Sequence, residues 1–111
     1  MRDRAKYRSR LQIIADILTA AGKGSRKTHI MFRCYLSYKI LCKYLDASVE
    51  AGLLRVRGSS EPIYVVTDKG RLFLEKFFEY SERRKKMEQS INNILNDEKA
   101  LEQMVNKNED S

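Results

Sequence analysis

Histidine is nearly missing from this chain, which has only His29, and cysteine is scarce, with Cys34 and Cys42 alone. No second imidazole stands near a nucleophile, no glycine-rich phosphate loop occurs, and the two cysteines lack the close spacing and partners of a metal site. These gaps argue against an enzyme and against any metal or cofactor. The cysteines are expected to pack as small hydrophobes. No apolar run approaches the roughly 18 residues of a membrane span, and the chain is charged from Arg2 onward without a signal core. A cytoplasmic protein with no membrane and no small-molecule substrate is expected.

Acidic side chains are scarce in one half. Residues 1–60 hold 13 basic and 4 acidic residues, while residues 61–111 hold 9 and 11, within an overall charge of +7. The positive field therefore belongs to the N-terminal part, where it would attract a phosphate polymer. At 111 residues the chain is long enough for one domain. Only part of that length looks available for a compact core, which makes oligomerisation a plausible remedy.

What is present sorts into short elements. Residues 2–10 place Arg2, Arg4, Lys6, Arg8 and Arg10 at alternate positions, as either a basic arm along phosphates or the frayed start of the first helix. From Leu11 the pattern turns helical, with Leu11, Ile14, Leu18 and Ala21 in line, Ile13 and Ile17 beside them, and Gly22 as the stop. Gly22 to Lys27 reads as a loop into a short second helix capped by Ser25 or Thr28, with Ile30, Met31 and Cys34 inward and His29 and Arg33 outward.

After the link Tyr35-Leu36-Ser37 comes a third helix, with Ser37 as N-cap and Gly52 at the left-handed end. Leu41, Tyr44, Leu45, Ser48 and Val49 mark its buried stripe. Tyr38, Lys39 and Lys43 stand outside it, close to the N-terminus. Two helices on so short a turn, the second with a basic outer face, make a helix-turn-helix.

Leu53 to Arg57 and Ile63 to Thr67 predict a small β-hairpin, or wing, with Leu54 and Val56 toward the core and Arg55 and Arg57 away from it. Pro62 is the only proline and Gly70 the last glycine, so nothing interrupts a helix beyond the Thr67 cap. A seam of Phe77, Tyr80, Arg84, Met87, Ile91, Ile94, Glu98, Leu101 and Val105 runs along this helix at coiled-coil spacing. Arg84 and Glu98 would face their own copies in a parallel pair and each other in an antiparallel pair centred near Ile91. An antiparallel homodimer is expected. The competing reading folds the segment back near Asn96 and Asp97.

The fold class expected is mainly α with a small β-hairpin: a basic arm at 1–10, a winged helix at 11–70 and a coiled-coil helix at 71–108. The run Lys27-Thr28-His29-Ile30-Met31-Phe32 resembles the Lys-Thr-Arg-Ile-Met-Tyr signature of the small archaeal winged-helix chromatin proteins. Leu36-Ser37-Tyr38, Leu41, Tyr44, Leu45, Gly52, Leu53 and Thr67-Asp68-Lys69-Gly70 are similar to their third helix and strand-to-helix joint. His29 stands where that family has Arg, and the tail continues past Leu95. The resemblance implies a nucleoid-associated homodimer that binds double-stranded DNA with limited sequence preference.

On this reading Tyr38, Lys39 and Lys43 enter the major groove from their Ser37-capped helix. Arg26, Lys27, His29 and Arg33 hold phosphates beside them, and Arg55, Arg57 and Ser59 act from the wing. Few of these side chains discriminate bases, so phosphate positioning should dominate. A sequence-specific transcription regulator and a protein-interaction adaptor are the alternatives.

Overall fold

α1, α3 and α4 each begin where the sequence supplies a side-chain oxygen for a free amide. Ser9 accepts from the Gln12 amide and opens α1 (Arg10–Ala21), Ser37 accepts from the Ile40 amide and opens α3 (Tyr38–Glu50), and Thr67 accepts from the Gly70 amide and opens α4 (Asp68–Glu109). The structure is a computed structural model that describes residues 8–109, with side chains through Asn106. Between these helices lie β1 (Ser25–Arg26), α2 (Lys27–Cys34), β2 (Leu54–Arg57) and β3 (Ile63–Val66). Two compact units result, residues 1–77 and residues 78–111.

The first unit buries one cluster. Ile13, Ile14, Ile17, Leu18 and Ala21 of α1 meet Ile30 and Cys34 of α2, Leu41 and Leu45 of α3, and Leu54, Tyr64 and Val66 of the sheet. Ser48 is buried among them with its hydroxyl donating to the Tyr44 carbonyl at 2.7 Å, so no polar atom is stranded. Leu11, expected on the buried line of α1, is exposed because it sits in the first turn, ahead of the core.

The hairpin the sequence suggested is formed by β2 and β3, and β1 adds a third strand to it, giving the order β1-β3-β2 with both pairings antiparallel. Ser25 pairs with Tyr64 and Arg26 with Ile63, which gives β3 a partner on its second edge. The expected loop thus contains a strand. Ser25 does not cap α2: its hydroxyl donates back to the carbonyls of Ala20 and Ala21, and the N-cap position is held by Arg26 without a side-chain bond. Thr28 is exposed inside α2. Leu54 faces the core as expected, whereas Val56 on the same face is 41% exposed, on a strand at the edge of the sheet.

The end of α3 is tied to the start of α4. Gly52 adopts φ +79, the left-handed turn expected of it, and the Leu53 amide returns to the Ser48 carbonyl. Thr67 donates its hydroxyl to the Gly52 carbonyl at 2.6 Å, and Lys69 donates to the Ala51 carbonyl at 2.7 Å. Gly70 fits against the Leu53 backbone so closely that a Cβ would lie 2.3 Å from the Leu53 carbonyl oxygen.

Arg8 belongs to this framework and not to an arm. Its guanidinium donates to Asp16 at 2.7 Å and to the Cys34 carbonyl at 2.8 Å, clamping the start of α1 to the end of α2. Gln12 donates to the other Asp16 oxygen. Arg10 opens α1, and the remaining arm positions, 1–7, lie outside the described residues.

The second unit is the continuation of α4. The helix is unbroken through Glu109, so the fold-back near Asn96 does not occur. From Glu82 to Asn106 every side chain is exposed, including Met87, Ile91, Ile94, Leu95, Leu101, Met104 and Val105. Phe77 is the exception among the seam residues: it is 7% exposed and stacks on Phe73 within the first unit, so its ring is already spent on the core.

Candidate nucleic-acid interface

The turn between α2 and α3 is three residues long because Tyr35 takes a left-handed conformation, φ 54 and ψ 47. Its amide and that of Leu36 bond back to the Phe32 and Met31 carbonyls, closing α2, and Leu36 drops into the core. Ser37 then starts α3. This local chemistry sets the two helices side by side and aims the outer face of α3 away from the core.

With Leu41, Leu45 and Ser48 inward, the opposite face of α3 carries Lys39 and Lys43, then Asp46 and Glu50, all exposed. The face is cationic in its first half and anionic in its second. Tyr38, 63% exposed, stands between that ridge and α2. Lys43 lies 5.3 Å above the Tyr44 ring, which holds its stem against the helix while leaving the ammonium in solvent.

Lys27 is the half-buried member of the expected set. Its ammonium lies 5.5 Å from the Tyr38 ring centre and donates to the Cys42 sulfur at 3.9 Å, bridging α2 and α3. Burial lowers the Lys27 pKa, but Tyr64, Cys42 and Tyr38 raise it more, so the net direction is up and the charge is held firmly. His29 and Arg33 are exposed one turn apart on the outer face of α2.

Phe32, 72% exposed, and Tyr35 are surface aromatics of this region that sequence reasoning did not place in the site. Their signal was legible: Phe32 falls on the polar side of the α2 wheel, where an aromatic has no core to enter, and Tyr35 stands in the turn that follows it.

The strand register divides the expected set. Arg57, Ile63 and Arg26 form one row across the sheet and Arg55 and Val65 the next, so the three arginines share the sheet face opposite Leu54, Tyr64 and Val66. Arg26 is therefore a neighbour of the wing arginines, and it pairs with Glu61 at 2.9 Å. Ser59 is exposed at the β2 to β3 turn. Lys27, His29, Arg33, Ser37, Tyr38, Lys39 and Lys43 lie together on α2 and α3.

Among the described residues no group of three His, Cys, Asp or Glu could hold a metal ion, and no helix is long and apolar enough to cross a membrane.

A three-helix core, a tight turn ahead of a helix with an exposed basic face, and a small antiparallel sheet define the winged helix-turn-helix class. The pattern of that family, described as winged helix-turn-helix, matches residues 7–85, and the chain belongs to it. The fold is similar to the crystal structure of Sso10a-2, a DNA-binding protein from Sulfolobus solfataricus. The TM-score is 0.74 at 25% identity, over 78% of this chain and 93% of that one. It is also similar, with TM-score 0.58 and 12% identity over 68% of this chain and 55% of the other, to BpsR of Bordetella bronchiseptica, whose structure concerns regulation of DNA binding by 6-hydroxynicotinic acid. The second likeness is one of fold alone. No curated protein matches the chain.

Proposed function

We propose that the protein binds double-stranded DNA as a largely sequence-tolerant, chromatin-architectural homodimer. The reading is carried by the outer face of α3, where Lys39 and Lys43 stand exposed opposite the buried Leu41, Leu45 and Ser48. In this reading the first half of α3 enters the major groove and Asp46 and Glu50 stay clear of it, since phosphates repel them. Arg26, Lys27, His29 and Arg33 neutralise backbone beside the helix, and Arg55, Arg57 and Ser59 reach it from the wing. Kinship with the winged helix-turn-helix family and likeness to the DNA-binding Sso10a-2 support the same partner.

Architecture rather than operator recognition follows from the chemistry of the ridge. Lysine offers a point charge, and the ridge of α3 lacks the Arg, Asn or Gln side chains that read base edges in pairs of bonds. Dimerisation supplies the second head. Met87, Ile91, Ile94, Leu101 and Val105 form an exposed stripe along one helix, far more apolar surface than a lone soluble helix retains. Reflection about Ile91 sets Arg84 against Glu98 of the partner subunit, Met87 against the partner's Leu95 and Phe78 against the partner's Met104.

A salt titration run in parallel on random duplexes and on duplexes enriched by selection tests the reading. With six to ten phosphate contacts per dimer, affinity falls roughly 10³ to 10⁵ fold between 50 and 200 mM salt on both pools alike. A salt-insensitive complex contradicts DNA binding through this ridge. Strong preference for one selected sequence makes the protein an operator-specific regulator instead.

A further inference from the structure

We infer that Phe32 of α2 and Tyr35 of the turn after it stack on unpaired bases, so that the protein also holds single-stranded DNA. This rests on the nucleic-acid reading of α3, whose neighbouring cations would hold the phosphates of the strand.

Phe32, Tyr35 and Tyr38 recur at steps of three residues and are 72%, 66% and 63% exposed. No other aromatic among the described residues up to Phe77 is exposed: Tyr44 and Phe73 are half-buried, and Tyr64 and Phe77 are buried. Scattered single exposures need no explanation, but rings gathered on one bend of the chain do. The Tyr35 amide closes on the Phe32 carbonyl at 3.3 Å, so the first two rings spring from a single turn of backbone, and Tyr38 opens α3 directly behind the Ser37 cap. Tyr35 holds φ 54, a left-handed conformation for which glycine or asparagine is the unstrained choice. A tyrosine there gains nothing for the turn, which points to a use for its ring.

Cations accompany the rings. Lys27 places its ammonium 5.5 Å from the Tyr38 ring centre, His29 and Arg33 share the outer face of α2 with Phe32, and Arg8 reaches the Tyr35 carbonyl at 3.5 Å. From Ile17 to Leu45 the chain carries six Lys and Arg and no acid, and Asp16, just before, is already paired with Arg8. The partner is therefore an anion that also offers flat apolar faces. An intact duplex shows base edges in its grooves and hides base faces in its stack, so these rings have nothing flat to meet on it. An unpaired strand presents a face and a phosphate with every nucleotide, and one base stacked on one ring is worth roughly fivefold to a hundredfold in affinity. DNA is the strand assigned, because the same head carries the ridge read as its duplex contact.

The full-length protein is titrated with an oligothymidylate of about 20 nucleotides, which does not pair with itself, and with a blunt duplex of equal length. The double variant Phe32→Ala with Tyr35→Asn removes both rings, and asparagine tolerates the left-handed backbone. Its affinity for the single strand falls roughly tenfold or more, by a larger factor than for the duplex, while the salt slope on the single strand is kept because no phosphate contact is lost. Phe32→Leu, apolar but without a ring, weakens the single strand as well. Phe32→Trp supplies the only tryptophan of the chain, and its emission is quenched at saturation by the single strand far more than by the duplex.

An unchanged single-strand affinity in the double variant, or equal losses on strand and duplex, overturns the inference. So does full affinity in Phe32→Leu, or a tryptophan at position 32 that the saturating strand leaves unquenched. Tighter binding of oligouridylate than of oligothymidylate gives the rings to RNA and overturns it too. A native chain that binds the duplex but no single strand sinks this inference alone, whereas failure on both sinks the DNA reading with it.

Discussion

At the scale of single residues, the most demanding position is Gly70. A Cβ there would sit 2.3 Å from the Leu53 carbonyl oxygen, which cannot swing away without moving backbone, and 2.8 Å from a Val66 methyl. Gly70→Ala should lower the unfolding free energy by about 1–3 kcal/mol or more, read by denaturant titration, while Ser60→Ala at the exposed turn should be neutral. Equal stability of the two would mean α4 has room to shift. Cys34 makes a different prediction. Burial, followed by the nearby Asp16 carboxylate, pushes its thiol from 9.0 up to about 11, with Arg8 and Arg33 opposing. Folding disfavours the thiolate, so this contribution to stability is complete below about pH 9 and is lost as pH rises through about 11. Cys34→Ala should flatten the alkaline fall in stability across that window, and superimposable profiles would refute the assignment.

At the scale of elements, the seam of α4 carries the test. Arg84 raises its own pKa through hydrogen bonds to Tyr80 and then Glu88 on the same helix, and these use two of its five N–H donors. The rest remain for a carboxylate across the seam. Arg84→Glu should loosen the dimer by roughly tenfold or more in dissociation constant, and adding Glu98→Arg should restore it. Equilibrium sedimentation reads both, and an antiparallel pair that ignored the first change would be ruled out. The long helix, its Thr67 cap, and the Ser37 and Gly52 ends of α3 were all legible in sequence because each is written within a few residues. Strand β1 and the Arg8 clamp were not, because their meaning lies in partners 26 or more positions away: Tyr64 and Ile63 for the strand, the Cys34 carbonyl for Arg8. Two residues are too few to show a period of two. Arg8 looked like one more charge in an alternating run until its neighbours in space were known.

At the scale of the whole molecule, the net positive charge and the exposed apolar stripe are kept apart. The first unit holds the buried cluster and the basic faces, while the second is a bare helix with an apolar stripe. Sequence anticipated that division through its charge asymmetry and its coiled-coil spacing. It did not show that Arg26, Arg55 and Arg57 share one face of the sheet, since only strand register reveals that. The central claim concerns the ridge itself, and its most direct measurement is duplex binding by Lys39→Glu with Lys43→Glu as a function of salt. These side chains are exposed and should leave the fold intact, which circular dichroism verifies. The account predicts an affinity loss of roughly a hundredfold and a log-affinity against log-salt slope shallower by close to two, at about 0.9 for each phosphate contact removed. A folded double variant that binds with unchanged affinity and unchanged slope would contradict it.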